Sequence, residues 1–464
     1  MRNARLVQNL SVRLAVALAF ADASIVVLAL PQLLDRLHTS IDHVVWVIVA
    51  YNVALIAGCA VMLLIGRRVP ANRSLVAGLV LFGLSSIGCG LAGSLAVLIP
   101  FRVLQGLGGA LVLCASLPMF AAAARPGDSP LYGWSAAAAI GAAVGPAAGG
   151  VLTQLFSWRS IFFAQAPVAA VAVGAVLVAT SHASAETVPA SDAEPRVPGG
   201  ERLAANAALT LLAAGLIGAL FLIVIEMING WLLSPIAAAA VVLTIPLATT
   251  VAERAVRGFP PEVLGAVGAL LVAGGLFLLS ELTHEQLGLV VLALALCGTG
   301  LGLGFPGLTT LALRGGGAAI ARAAFTVGAR DAGLVLGLLV LTPIFVNRLD
   351  TAPNQATGAA TGVVLFAPLP LAVKAELGQK LTAVVTRAPQ SRPPDFTPVF
   401  RRISAQVPPQ QRPALARLKR QLDAIVQRAV TSAFKRPFQI AALFAVCVLP
   451  LLGLGIALTR RRPA

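Results

Sequence analysis

Twelve stretches of about 20 predominantly apolar residues recur along this chain, at 14–33, 44–65, 74–93, 96–121, 132–155, 161–180, 204–225, 232–252, 263–281, 287–312, 327–346 and 438–458. A hydrocarbon core of about 30 Å is crossed by about 20 helical residues at 1.5 Å each, so every run is long enough for one crossing. No water-facing domain of ordinary size tolerates this pattern: 58% of the 464 residues are hydrophobic, 11% are charged, and mean hydropathy is +0.90. Strand-type alternation is absent, which removes a β-barrel. Backbone polar groups in lipid must pair within their own segment, so the expected fold is an all-α integral membrane protein with about twelve transmembrane helices.

A net charge of +16 and a pI near 11.2 would point to nucleic acid in a soluble protein. Here most arginines flank apolar runs, where they act as topology signals, and no nucleic-acid partner is expected. Arg67, Arg68, Arg73, Arg125, Arg196, Arg202, Arg254, Arg257, Arg314 and Arg322 fall in loops of one side, with Arg460 to Arg462 at the tail; the opposite short loops offer little beyond Arg36 and Arg159. The positive-inside rule therefore predicts a multi-pass protein of the cell (cytoplasmic) membrane with both termini cytoplasmic. Arg2, Arg5 and Arg13 precede a long run containing Asp22, which reads as an uncleaved first span rather than a secretory signal. The five cysteines lie inside apolar stretches without metal-type spacing, and His38, His43, His182 and His284 sit in or beside loops. No metal, cofactor or enzyme activity is expected from these residues.

Two segments interrupt the rhythm. Residues 181–203 are rich in Ala, Ser, Pro and mixed charge, as suits a cytoplasmic linker between a first bundle (1–180) and a second (204–347 with 438–464). Residues 348–437 are expected as an extracytoplasmic helical insertion before the last span, since long loops translocate largely regardless of charge. Within it, 358–370 is apolar but broken by Pro368 and Pro370, which predicts a piece that dips into the membrane without crossing. Amphipathic helices are predicted over 371–385 and 412–434, where Leu415, Leu418, Leu422 and Ile425 recur at helical spacing.

Run 132–155 carries Gly141, Gly145 and Gly149 at four-residue intervals, with Pro146 and Gly150. Such a stripe admits a close neighbouring helix, while Pro146 deletes one backbone hydrogen bond. Plain Gly/Ala packing accounts for it equally well. In this setting the string Gly-xxx-Gly-Pro-xx-Gly-Gly resembles the fifth-span antiporter motif of the major facilitator superfamily, in its drug:proton antiporter branch. Asp22 to Pro31, Arg102-Val-Leu-Gln105-Gly106, the run from Trp158 and Arg159, and Gly230-Trp231 with Ser234-Pro235 also resemble that branch, in the expected order over the first 260 residues. The resemblance implies a two-bundle transporter. Two departures stand out: the loop from Gly66 to Arg73 keeps its bases but lacks the family's Asp, and about twelve runs are present where the fourteen-span members have two more.

A carboxylate at the bilayer centre costs about 2.5–3.5 kcal/mol on insertion scales, so Asp22 needs a partner or a purpose. Counting 1.5 Å per residue puts Asp22 about 12 Å above one boundary and Arg102 about 10 Å below the other, a gap of about 8 Å that an Arg side chain can bridge. Burial favours the neutral acid and a nearby guanidinium favours the carboxylate, so a changing distance would load or release a proton. A fixed ion pair holding span one to span four is the other reading. In the resembling antiporters such residues serve proton coupling. Tyr51, Asn52, Gln105 and Glu226 are the candidate cavity residues. Trp46, Trp134 and Trp231 are either cavity or interface aromatics, Glu226 and Glu253 are placed near span ends where they can snorkel, and Arg330 with Asp331 is read as a pair at the start of a helix.

The leading expectation is a secondary active exporter working by alternating access, with inward protons driving a lipophilic or amphiphilic compound outward and no cofactor beyond the proton gradient. Membrane lipids surround it, and the 348–437 segment is a candidate contact for an extracytoplasmic partner. A lipid or lipid-conjugate exporter using that segment, and a facilitator-fold scaffold or sensor that transports nothing, are the alternatives.

Overall fold

The computed structural model describes residues 2–66, 68–123, 130–181, 199–255, 258–282, 286–314, 318–387 and 395–460; the 182–198 part of the expected linker, Arg67, Arg125, Arg196 and Arg257 lie outside them. Among the described residues there is no β-strand. The first half comprises α1 (Arg2–Ile25), α2 (Leu30–Arg36), α3 (Ile41–Val44), α4 (Trp46–Ile65), α5 (Ala71–Leu91), α6 (Leu95–Ala123), α7 (Pro130–Leu155) and α8 (Trp158–Ser181). The second comprises α9 (Gly199–Ile225), α10 (Pro235–Val242), α11 (Thr244–Ala255), α12 (Pro261–Ser280), α13 (Leu287–Leu313), α14 (Ala319–Phe366), α15 (Leu371–Arg387), α16 (Thr397–Gln406), α17 (Arg412–Val446) and α18 (Val448–Arg460).

Eleven described segments are long and apolar enough to cross a membrane, several built from two consecutive helices. α7 is not among them, yet its 26 residues span about 39 Å at 1.5 Å each, which makes a twelfth of sufficient length. The junction of α1 and α2 shows how sequence sets these breaks. Pro31 has no N–H to donate to the carbonyl of Val27, and residues Val26–Ala29 tighten into a 3₁₀ turn there. α10 begins where Ser234 caps it, its hydroxyl accepting from the Ala237 N–H at 3.2 Å, with Pro235 at the first helical position.

α1, α4, α5, α6, α7 and α8 pack into one bundle, and α9 to α14 with α17 and α18 into the other. The halves meet where α14 lies along α4 and where α10 lies along α7. One apolar core joins Val26 to Val49 with Phe221, Phe345 and Phe438, and a second joins α1, α4 and α6 with Val327 and Leu334 of α14.

The region 348–437 departs from its sequence reading in two ways. α14 is one helix of 48 residues, about 72 Å long, so 358–366 continues that rod rather than dipping into the bilayer. α17 likewise runs unbroken for 35 residues from Arg412 through Pro437 into the last span. Between the two rods, α15 and α16 close a separate apolar core of Val364, Leu369, Leu377, Leu381, Phe396, Phe400, Ile403, Val407, Leu415, Leu418 and Leu422. These four elements form a small helical domain carried on two stalks, and Lys435 ties one stalk to Glu281 after α12 through a 2.9 Å bond.

Candidate functional site

Asp22 lies in the last turn of α1, just before the 3₁₀ turn Val26–Ala29, and is fully buried, as is Arg102 on α6. Arg102 Nη1 donates to Asp22 Oδ2 at 2.7 Å and Oδ1 at 3.0 Å, so the gap estimated from sequence is closed by direct contact. Two amides complete the carboxylate's shell. Gln165 Nε2 of α8 donates to Asp22 Oδ1 at 2.9 Å, and Gln105 Nε2 of α6 reaches the same oxygen at 3.1 Å. Gln105 Oε1 accepts from Arg102 Nη1 at 2.6 Å, and Gln105 Nε2 also meets Ser86 Oγ of α5 at 2.8 Å. Arg102 Nε donates to the Val47 carbonyl of α4 at 2.8 Å, and the guanidinium lies 4.5 Å from the Tyr51 ring centroid and 5.7 Å from that of Phe162. Five helices thus converge on one ion pair inside the first bundle.

This arrangement makes two buried charges tolerable. Desolvating either ion alone costs several kcal/mol, and only good geometry with extra hydrogen bonds offsets it. Gln105 and Gln165 each present a donor and an acceptor, so they can serve either a carboxylate or a protonated carboxyl after an amide rotation. Arg102 Nη2 has no hydrogen-bond partner, which leaves the guanidinium two N–H donors to spend elsewhere when Asp22 is neutral.

Tyr51 is buried and its Oη donates to the Ala19 carbonyl of α1 at 3.1 Å. Asn52 is buried, its Nδ2 donating to the Ile48 carbonyl at 2.8 Å while its Oδ1 has no partner. Glu226 departs from the snorkelling expected of it: it is 2% exposed, at the start of the π-turn Glu226–Gly230 that ends α9. Glu253 is also buried. Trp46 is 45% exposed, as an interface aromatic is, whereas Trp134 and Trp231 are buried. Arg330 and Asp331 do not begin a helix; α14 starts at Ala319, so they stand about 17 Å along it, both buried.

The glycines of α7 are contact points rather than hinges. A Cβ on Gly141 would meet the Ala17 carbonyl, one on Gly145 would meet the Ala21 carbonyl at 2.7 Å, and one on Gly149 would meet Ile25. All three abut α1, the helix that carries Asp22. Gly150 instead faces Ala239 and the Pro235 carbonyl of α10, in the other half, and Pro146 lies buried between these two faces. Trp158 begins α8 with its N–H donating to Gln32 Oε1 at 3.0 Å, which ties α2 to the α7–α8 turn.

Ser86 and Gln165 escaped the sequence reading. Both are uncharged polar residues within apolar runs, and neither forms part of a motif; only their occurrence at mid-span depth marks them.

Comparison with known proteins now gives this geometry its setting. The Major Facilitator Superfamily model matches residues 13–367. The tetracenomycin C resistance and export protein of Streptomyces glaucescens is 34% identical over 184 residues, covering 39% of this chain and 34% of that protein. The lincomycin resistance protein of Streptomyces lincolnensis is 37% identical over 164 residues, covering 34% of this chain and 33% of the relative. The chain thus matches about a third of the length of such relatives. A solved bacterial homolog to the human lysosomal transporter Spinster, in an inward-facing and unoccupied conformation, superposes with a TM-score of 0.63 at 13% identity, over 100% of this chain and 99% of that one. The multi-pass helical architecture, the two-bundle packing and the family match over most of its length agree: this chain is a member of the Major Facilitator Superfamily.

Proposed function

We propose that this protein is a secondary active exporter that exchanges protons for lipophilic or amphiphilic compounds by alternating access. The single observation that carries the reading is the buried Asp22–Arg102 pair with its two glutamine partners. The two amides satisfy the buried pair as it stands, and each can also serve a protonated carboxyl after rotation, which a proton-exchanging site requires. Protonation of Asp22 would release Arg102 from a charged partner, and the α1–α7 contact through Gly141, Gly145 and Gly149 would carry the adjustment of α1 to the seam with α10. The drug-resistance relatives support a small-molecule cargo, and the apolar faces of the helices suit an amphiphile.

In this reading both termini and the 181–203 linker are cytoplasmic, and the stalked domain stands outside the cytoplasmic membrane, available to a partner there. Continuity of α17 with the last span holds Arg417 about 27 Å along the helix from Lys435, away from the lipid surface, which argues against a role in gripping lipid head groups. The test is a proteoliposome assay with an imposed pH gradient and a panel of lipophilic compounds. The reading expects gradient-dependent movement of at least one class, and a tenfold or greater loss in Asp22→Asn. Equal uptake with and without the gradient would contradict it.

A further inference from the structure

The stalked domain carries a charge that the membrane-spanning part does not share. Residues 371–437 hold thirteen Lys and Arg against three Asp and Glu, so about a seventh of the chain supplies +10 of a net charge of +16. The three acids are already engaged. Glu376 pairs with Lys380 and Asp423 with Lys419, each one turn along the same helix, and Asp395 accepts from the Thr397 N–H at 2.8 Å. Arg402, Arg412, Arg417 and Arg420 are exposed and form no salt bridge or hydrogen bond among the described residues. Like charges gathered on a small domain repel one another, and positive charge outside the membrane runs against the positive-inside bias, so neither folding nor topology accounts for them.

α17 gives these charges an order. Leu415, Leu418 and Leu422 turn one face into the domain core, and the opposite face presents Arg417, Arg420 and Arg428, all exposed. Arg417 and Arg428 lie about 16 Å apart along the axis, with Arg420 between them. α16 adds Arg401 and Arg402, exposed beside the buried Phe400 and Ile403. Arg401 acts on Asp395 together with Lys419 of α17, so the bases of the two helices adjoin. The other exposed residues of α17 from 412 to 428 are Pro413, Ala416, Gln421 and Ala424, with no aromatic or large aliphatic side chain among them. A protein partner is ordinarily anchored by such side chains in a desolvated centre, which this face lacks. A bilayer is also out of reach for its outer part, since Arg417 lies about 27 Å along the rod from Lys435, beyond the screening length of about 8 Å in physiological salt.

We propose that the arginine face of α16 and α17 binds a linear anionic polysaccharide outside the membrane. A stripe of guanidiniums without apolar anchors suits an extended chain that bears a charge on each unit. Each Arg can take a carboxylate through two parallel hydrogen bonds, and Gln421 can donate to or accept from sugar hydroxyls. Such a contact moors the outer end of the protein to a charged polymer and leaves the buried Asp22 site untouched. The proposal rests on the outward placement of this domain and on no particular cargo.

Two measurements on the full-length protein test it. In intact cells Arg417→Cys should react with a membrane-impermeant maleimide, against a low background from the five native cysteines, which are buried or half-buried. Labelling only after the cells are opened would place the face in the cytoplasm and overturn both the proposal and the outward reading. The second measurement is the fluorescence anisotropy of a labelled ten-unit galacturonic acid oligomer with the purified protein in detergent. The wild type should bind it at least tenfold more tightly than uncharged dextran of the same length, with affinity falling at least fivefold between about 50 and 200 mM salt. Arg417→Gln, Arg420→Gln and Arg428→Gln combined should weaken binding at least tenfold with a wild-type melting profile, whereas Arg36→Gln, at an exposed base of the first bundle, should leave it unchanged. Retained affinity in the triple variant overturns the proposal, as do equal affinities for the two polymers. Tighter binding of polyglutamate of the same length also overturns it and assigns the face to an acidic protein. Should the triple variant fail to fold, Arg417→Gln and Arg420→Gln singly decide: each should weaken binding about threefold, and unchanged affinity in both overturns the proposal. Labelling from outside without polymer binding would count against the proposal alone and leave the topology standing.

Discussion

Asp22 and Arg102 hold each other in a place where neither survives alone. Replacing Asp22 by Ala leaves Arg102 buried without its counter-ion, and breaking a buried pair in this way costs about 3–5 kcal/mol; detergent-solubilised Asp22→Ala should therefore melt well below the wild type. Asp22→Asn keeps an acceptor for Arg102 and should fold, so the two variants separate stability from coupling. Gln165→Leu removes one donor from the carboxylate and should cost about 1–3 kcal/mol, measured by thermal melting. Asp22, Arg102 and Gln105 were legible in the sequence because intramembrane charge is expensive and the first two stand out from their apolar runs. Gln165 was not, since a neutral amide is cheap enough to pass as ordinary. Arg330 and Asp331 were misplaced because the apolar run begins at 327, whereas the helix begins eight residues earlier at Ala319, where Ala319 to Phe325 hold only Arg322 as a charge.

α1 and α7 approach so closely at Gly141, Gly145 and Gly149 that added side chains would strike backbone. Gly145→Leu should force the helices apart and lower the yield of folded protein, whereas Gly453→Ala on α18, with nothing nearby, should be neutral; size-exclusion profiles of the two variants check this. The stalked domain makes a different prediction. Phe400 and Leu418 are buried in its own core, so Phe400→Ala or Leu418→Ala should cost about 2–5 kcal/mol locally. Hydrogen exchange should then quicken in α15, α16 and the first turns of α17 while the spans keep their protection. The Lys435 bond at the base of one stalk holds the exposed Glu281 carboxyl below its usual range. A depressed carboxyl stabilises only while ionised, so this tie contributes above the ordinary Glu value and is lost as pH falls through the lowered one. The amphipathic pattern at 415–425 announced a helix, but nothing in it told that the helix continues into the membrane: Lys435, Arg436 and Pro437 look like a loop boundary, and the rod runs through them.

At the scale of the molecule, the apolar runs already specified a helical membrane protein of about twelve crossings, since backbone pairing in lipid leaves few alternatives. What they withheld was which faces meet, because helices in lipid are matched by small residues and shape rather than by hydrophobicity. The α4–α14 seam, with Asp331 on it, belongs to that hidden part. The central claim is that Asp22 exchanges a proton when cargo binds, and detergent-purified protein in weakly buffered solution measures it most directly. Adding saturating lipophilic cargo to the wild type should release protons, about one for each bound molecule if Asp22 is the group that ionises, and Asp22→Asn should release none while still binding cargo. Equal proton release from wild type and Asp22→Asn would contradict the account.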